Sequence, residues 1–165
     1  MPPIENALDP LHTFRFQVDF EEDPISPGSS TSPVVLCSGA FAECSGLEAT
    51  MEPKVIKEGG RNYGAAQRAG SVTFATVVLK RGITSTRHLW QWFELVTKNH
   101  GYAHRLNATI TLMDAAGDRK LRWKLKKALP IKFKSPDLSA KGTDVGVEEL
   151  HLAHEGLEMV DPNRE

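Results

Sequence analysis

The segment HLAHE, residues 151–155, places two histidines and a glutamate close together, which are side chains that hold metal ions. Metal ligands must converge on one point. The alternation around the segment reads as a strand, where residues three apart point to opposite faces, so His151 and His154 diverge. With no H-E-x-x-H motif, both are read as surface or edge histidines, and no metal site is expected. GAAQRAGS, residues 64–71, has the glycines of a phosphate-cradling loop. It has five residues between Gly64 and Gly70, however, and no lysine before the serine. Its flanks read as strands, whereas such a loop must open a helix whose N-terminal amides face the anion. No cofactor is expected. Ser, His and Asp are all present, but no G-x-S-x-G elbow, and the carboxylates are scattered. These residues give no catalytic constellation, and the chain is read as no enzyme. Cys37 and Cys44 lack the C-x-x-C spacing and are read as reduced core thiols.

RKLRWKLKKALPIKFK, residues 119–134, offers different chemistry. Alternation puts Lys120, Arg122, Lys124 and Lys126 on one strand face, with Leu121, Trp123 and Leu125 on the other. A cationic sheet face can grip nucleic acid when aromatics lie among its charges. Here Trp123 falls on the apolar side. The alternatives are a solvated face, or a contact with an acidic neighbouring subunit, for which Glu148, Glu149, Glu155 and Glu158 are candidates.

GGRNYGAAQRAG, residues 59–70, is the third feature. Its flanks resemble the two arms of a β-hairpin, and hairpin loops usually take about 2–5 residues. Twelve residues with four glycines, two arginines and one tyrosine are too polar to pack on the chain's own core. Such a loop is either loose or built to catch something, and a second copy of the chain is the expected catch.

The elements that position these residues are mostly strands. TFRFQVDF aligns Phe14, Phe16, Val18 and Phe20 on one face. Residues 21–33, rich in Pro, Ser and Gly, read as a surface loop. VVLCSGAFAECSGL, residues 34–47, reads as one or two short strands broken at Gly39. LEATMEPKVIK stays extended, with Pro53 marking an edge or bulge. SVTFATVVLKRG, residues 71–82, reads as one strand with both faces partly covered. One helix follows in ITSTRHLWQWFELVTKNHG, with Thr84 or Ser85 as its cap and Gly101 as its stop. Leu89, Trp92, Phe93 and Val96 form its apolar stripe, and Trp90 and Leu95 lie outside it. RLNATITLMD, RKLRWKLKKA and VGVEELHLAHEGLEMV alternate as further strands, with Leu150 and Leu152 on one face and a register break at Gly156. Strands, one helix, then strands again indicate an α+β domain, or a β-sandwich or barrel carrying one helix.

A length of 165 residues suits one domain. Hydrophobic content of 40%, charge of 25% and a net charge of −1 are those of a soluble globular protein with no bias toward nucleic acid or membrane. MPPIENALDPLHTF has neither the basic nor the apolar region of a signal peptide, and no apolar run is long enough to span a bilayer. Folding in the cytoplasm is the expectation.

In order along the chain, FAECSGLEATMEPKVIKEGGRN (41–62), LKRGIT (79–84) with LWQWF (89–93), NATITLMDAAGDRKLRWKLKKALPIKF (107–133) and DLSAKGTDVGVEELHLAHEGLEM (137–159) resemble one family. It is the inner tail-tube protein family of contractile phages and extracellular contractile injection systems, related to the type VI secretion tube protein. The resemblance covers Phe14 to Met159. The Pro/Ser-rich stretch 21–33 is longer than the family's compact first turn, and ALP stands where an aromatic often precedes the proline, in what the family pattern treats as a turn.

The resemblance implies a mainly β, α+β fold: two packed antiparallel sheets forming a β-sandwich or barrel, one α-helix, and a long hairpin arm at 47–80 with its tip at 59–70. It implies a single domain over 1–165 with flexible termini at about 1–11 and 160–165. It further implies homo-hexameric rings stacked into a tube, assembled in the bacterial cytoplasm. The tube would be sheathed, joined to baseplate and terminating proteins, and conduct an effector or phage DNA. Its final place is a phage tail or an injection particle, with no membrane segment. Glu58, Gly59, Gly60, Arg61 and Asn62 are the expected subunit contacts, with Lys124 and Lys126 on the basic face. The competing expectation is a small β-barrel that binds nucleic acid through residues 119–134. A hydrolase with an unrecognised site is the third.

Overall fold

Period-two alternation builds two sheets around one apolar layer, and one long strand belongs to both. The computed structural model describes residues 10–22, 41–98 and 105–164. Among these, the order is β1 (Phe16–Glu22), β2 (Glu43–Ser45), β3 (Ala49–Met51), β4 (Lys54–Ile56), β5 (Ala66–Arg68), β6 (Val72–Phe74), β7 (Val77–Gly82), α1 (His88–Lys98), β8 (Leu106–Met113), β9 (Arg119–Lys134), β10 (Val147–Ala153) and β11 (Gly156–Val160). The expected breaks at Gly39 and stop at Gly101, together with Cys37 and most of 21–33, lie outside the described residues.

The main sheet follows the path β1-β8-β9-β10-β7-β2, with β11 also on β9, all antiparallel. The first part of β9 lies between β8 and β11, and its last part pairs with β10. After a register shift between His151 and Leu152, the end of β10 and all of β11 keep one register along it: Ala153 faces Leu129 and Gly156 faces Lys126. They act as one strand interrupted at His154–Glu155, where the Glu155 N–H still donates to the Lys126 carbonyl at 2.9 Å. The expected break at Gly156 is therefore a change of sheet and not of partner. Opposite it, Lys127 takes a φ of 51° and donates its N–H to Asn107 Oδ1 at 3.0 Å. This bulge is where β9 parts from β8. Ala128–Pro130, expected as a turn, is strand. Pro130 is tolerated because β8 stops pairing at Ala128, leaving β9 a partner on one side alone among the described residues.

The inward residues match the alternation. Phe20, Ile110, Leu125, Leu150 and Leu152 are buried, and Phe16, Val18 and Trp123 pack at the margin. Phe14, expected with them, precedes β1 and is 68% exposed. α1 closes the core with its predicted stripe: Leu89 and Trp92 are buried, and Trp92 meets Phe20 edge-on at 5.5 Å. Trp90, off the stripe, lies edge-on to Phe133 at 5.5 Å. The helix starts later than the capping residues suggested. The Thr84 hydroxyl is used in a local turn, accepting from the Thr86 N–H at 3.3 Å, and the Arg87 carbonyl accepts the first helical bond from Gln91. On β7 and β10, cross-strand partners Arg81 and Glu148 form a buried ion pair, and Arg81 Nη2 also donates to Thr86 Oγ1 at 3.4 Å. This pair ties the sheet to the segment leading into α1.

The expected single strand 71–82 divides at Ala75–Thr76. β3 with β6 and β4 with β5 form a separate two-stranded ribbon. The Ala75 N–H donates to the Glu48 carbonyl at 3.1 Å, so the ribbon remains bonded to its root while leaving the main sheet. Gly46 makes this possible. Its φ is +86°, and a Cβ there would lie 2.1 Å from the Thr76 carbonyl oxygen.

Two stability outcomes follow from these contacts. Gly46→Ala is expected to cost about 2 kcal/mol or more, lowering Tm by roughly 4–8 °C in a calorimetric melt. Glu148→Ala, which strands the Arg81 charge, is expected to cost about 3–5 kcal/mol in urea unfolding, while R81M/E148L recovers most of that loss.

Candidate assembly surface

Along the ribbon, Ala49, Thr50, Met51, Lys54, Val55, Gln67, Arg68, Val72 and Thr73 are exposed. A ribbon of this kind covers no core, and two strands alone are marginal in water. Its apolar side chains face solvent: Val55 is 58% exposed, and Met51 and Val72, cross-strand partners, are both exposed. His154 at the β10–β11 junction packs on Phe74 with ring centres 5.3 Å apart, which anchors the ribbon's root.

The tip is shorter than the sequence suggested. Ala66–Arg68 pairs with Lys54–Ile56, which leaves 57–65 as the loop. Glu58, Gly59, Gly60, Arg61 and Asn62 are all exposed in it. A turn spans 58–61: the Arg61 N–H donates to the Glu58 carbonyl at 3.4 Å, and the two side chains are 3.6 Å apart. Gly60 has a φ of +83° with open space around it. Beside them Tyr63 is 97% exposed, the most exposed of the large apolar side chains described. Sequence reasoning counted this aromatic without assigning it to the surface; one ring among glycines was the available signal.

Lys124 and Lys126 lie elsewhere, on β9 of the main sheet. Lys124 is half-buried between its register partners Thr109 and Glu158. Lys126 reaches Glu158 at 2.5 Å. No bond or ion pair among the described residues joins these lysines to the tip. The acidic residues expected to face them from a neighbouring subunit are engaged within the same chain. Glu155 pairs with Arg105 and, at 3.6 Å, with Lys127. Its carboxyl is held below the usual range, first by the hydrogen bond from Arg105. Glu149 is likewise lowered, first by its hydrogen bond with His151 at 3.3 Å. Because β10–β11 lies antiparallel to β9, acidic and basic faces of one sequence meet across one sheet.

His151 and His154 do diverge. His154 Nδ1 bonds the Gly156 carbonyl at 3.0 Å, and among the described residues no three His, Cys, Asp or Glu side chains gather as a metal site. Burial pushes the Cys44 thiol up to about 11, which keeps it protonated. A groove of about 630 Å³ opens between the start of α1 and the end of β9, lined by Ile83, Trp90, Phe133 and Leu138 among others. No described helix is long and apolar enough to cross a membrane.

The family model of the T4-like virus tail tube protein gp19 matches residues 12–158. The chain belongs to this family. Among solved structures, this tail tube chain is similar to one in the cryo-EM structure of the anti-feeding prophage baseplate, 6-fold symmetrised. The TM-score is 0.77 at 26% identity, covering 95% of this chain and 99% of that one. It shares its fold with a chain of the PVC extracellular contractile injection system sheath–tube complex in the extended state, with a TM-score of 0.72 at 22% identity, covering 92% and 91%. The same holds for a chain of the PVC sheath/tube terminator, with a TM-score of 0.75 at 20% identity, covering 94% and 99%. No curated protein matches the chain by sequence. The expected mainly β fold of antiparallel sheets with one helix is thus the fold of tail tube proteins.

Valine at Gly60 strains its φ of +83°, but the exposed tip packs on nothing among the described residues and can rearrange, so Gly59→Val with Gly60→Val is expected to lower the monomer's Tm by no more than about 4 °C. The same variant is expected to reduce association sharply in sedimentation velocity. An equal loss of folded monomer would place the glycines' role in the fold itself.

Proposed function

We propose that this tail tube protein is the structural, non-enzymatic protomer of the inner tube of a contractile tail or injection particle. Six copies form a ring and rings stack around a lumen that conducts an effector or DNA. One observation carries the reading: in a tail tube family member, a two-stranded ribbon with exposed apolar residues on both strands leaves the body without covering any core. A ribbon of this kind gains stability when a neighbour covers it. Among the described residues β1 and β2, at the ends of the main sheet, each have one unpaired edge, and closure across subunits removes such edges. The 6-fold symmetry applied to the anti-feeding prophage baseplate supports the number of copies.

In this reading Glu58, Gly59, Gly60, Arg61 and Asn62 make contacts between subunits, and Lys124 and Lys126 contribute from the sheet. The tube is assembled in the bacterial cytoplasm, is surrounded by a sheath, and ends on baseplate and terminator proteins. Its final place is a phage tail or an injection particle. The sheath–tube and terminator structures that share the fold support these partners.

Purified protein without nucleic acid is expected to form six-fold rings or tubes in negative-stain electron microscopy, with matching species in analytical ultracentrifugation. A compact monomer at every concentration overturns the proposal.

A further inference from the structure

Lys54 and Arg68 stand directly opposite each other across β4 and β5, and both are exposed. Like charges in that position repel. Among the described residues neither takes part in an ion pair; of the ribbon's cations, only Arg61 does so, with Glu58. The ribbon therefore presents a positive rung that no carboxylate among the described residues pairs with, exposed Glu52 nearby included.

A complementary feature lies on β1. Asp19 and Glu21 alternate along the strand, so they share one face, and neither has a cation partner among the described residues. Asp19 accepts a hydrogen bond from Gln17 Nε2 at 2.8 Å. Their cross-strand neighbours, Thr109 and Asn107, are uncharged. The carboxylates of β10 and β11 are already used: Glu148 by Arg81, Glu149 by His151 and Glu158 by Lys126. Among the described residues β1 pairs with β8 alone, which leaves its outer backbone edge available to another strand.

We propose that the Lys54–Arg68 rung of one copy docks on the Asp19–Glu21 rim of a second copy. This rests on the tube reading and names the receptor for the ribbon. Opposite charge sets the register of the contact, and relief of the Lys54–Arg68 repulsion occurs when the contact forms.

The test is a charge exchange in the full chain, read by sedimentation velocity and by the monomer's Tm. K54E/R68E and D19K/E21K are each expected to raise the concentration needed for assembly about tenfold or more, with Tm nearly unchanged. The fourfold variant carrying both is expected to return to within about threefold of the unaltered protein. Should D19K/E21K lower Tm, the neutral D19N/E21Q carries the same test, with a rise of about threefold expected. If the unaltered protein assembles and either reversal has no effect, or the fourfold variant stays as weak as its parents, this contact is wrong while the tube reading stands. An unaltered protein that never assembles overturns both. Assembly that requires an added single-stranded DNA oligonucleotide overturns the contact in favour of a nucleic-acid partner.

Discussion

A strand that serves two sheets must bend, and the rest of this chain depends on where β9 does so. Up to Ala128 it has β8 on one side, and beyond it only the β10 side is paired. The Lys127 bulge is the pivot, held by Asn107. Opposite it, the returning strand pauses at His154–Glu155 and resumes in the same register. The two halves of the sheet can then fold over one shared layer of Leu125, Leu150, Leu152 and the helix residues Leu89 and Trp92. The antiparallel return also places glutamates beside lysines and arginines, so much of the charge on these strands is balanced locally.

Against this self-sufficient body, the ribbon is the exception. It is hydrogen-bonded along its length and rooted by Gly46 and the Phe74–His154 contact, yet its side chains mostly face solvent. Hydrogen bonding gives it shape, and burial, the larger stabilising effect, is left to whatever covers it. A division of this kind fits the proposed tube, in which a neighbouring copy covers the ribbon.

Much of this was legible in the residues. Period-two alternation gave β1, β8 and β9, and the 3.6 period gave the stripe on α1. The failures share a cause. The start of α1 depended on whether the Thr84 hydroxyl served the helix or a turn, a local competition that pattern cannot decide. The strand at 71–82 divides because the Gly46 backbone approaches Thr76, a contact distant in sequence. The Ala128–Pro130 stretch lies within a strand because β8 ends there, again a tertiary fact. For the candidate surface, glycine and polarity marked the tip correctly, but its length was overstated: Ala66–Arg68 looks like loop until its partner strand is known. The glutamates of β10 and β11 are legible as an acidic counterpart to the basic strand, but only register shows that Glu155 and Glu158 meet Lys127 and Lys126 of the same chain, while Glu148 meets Arg81 and Glu149 meets His151.

The Lys54–Arg68 rung also acts between free copies, before any ordered contact forms, if the proposed contact holds. On a free copy the ribbon's short strands each have one partner among the described residues, and open β-edges tend to add to one another indiscriminately. Two ribbons that align rung on rung would bring four positive charges together, which disfavours that union. Under the proposed contact, the charges that disfavour this union leave each arm free for an ordered one.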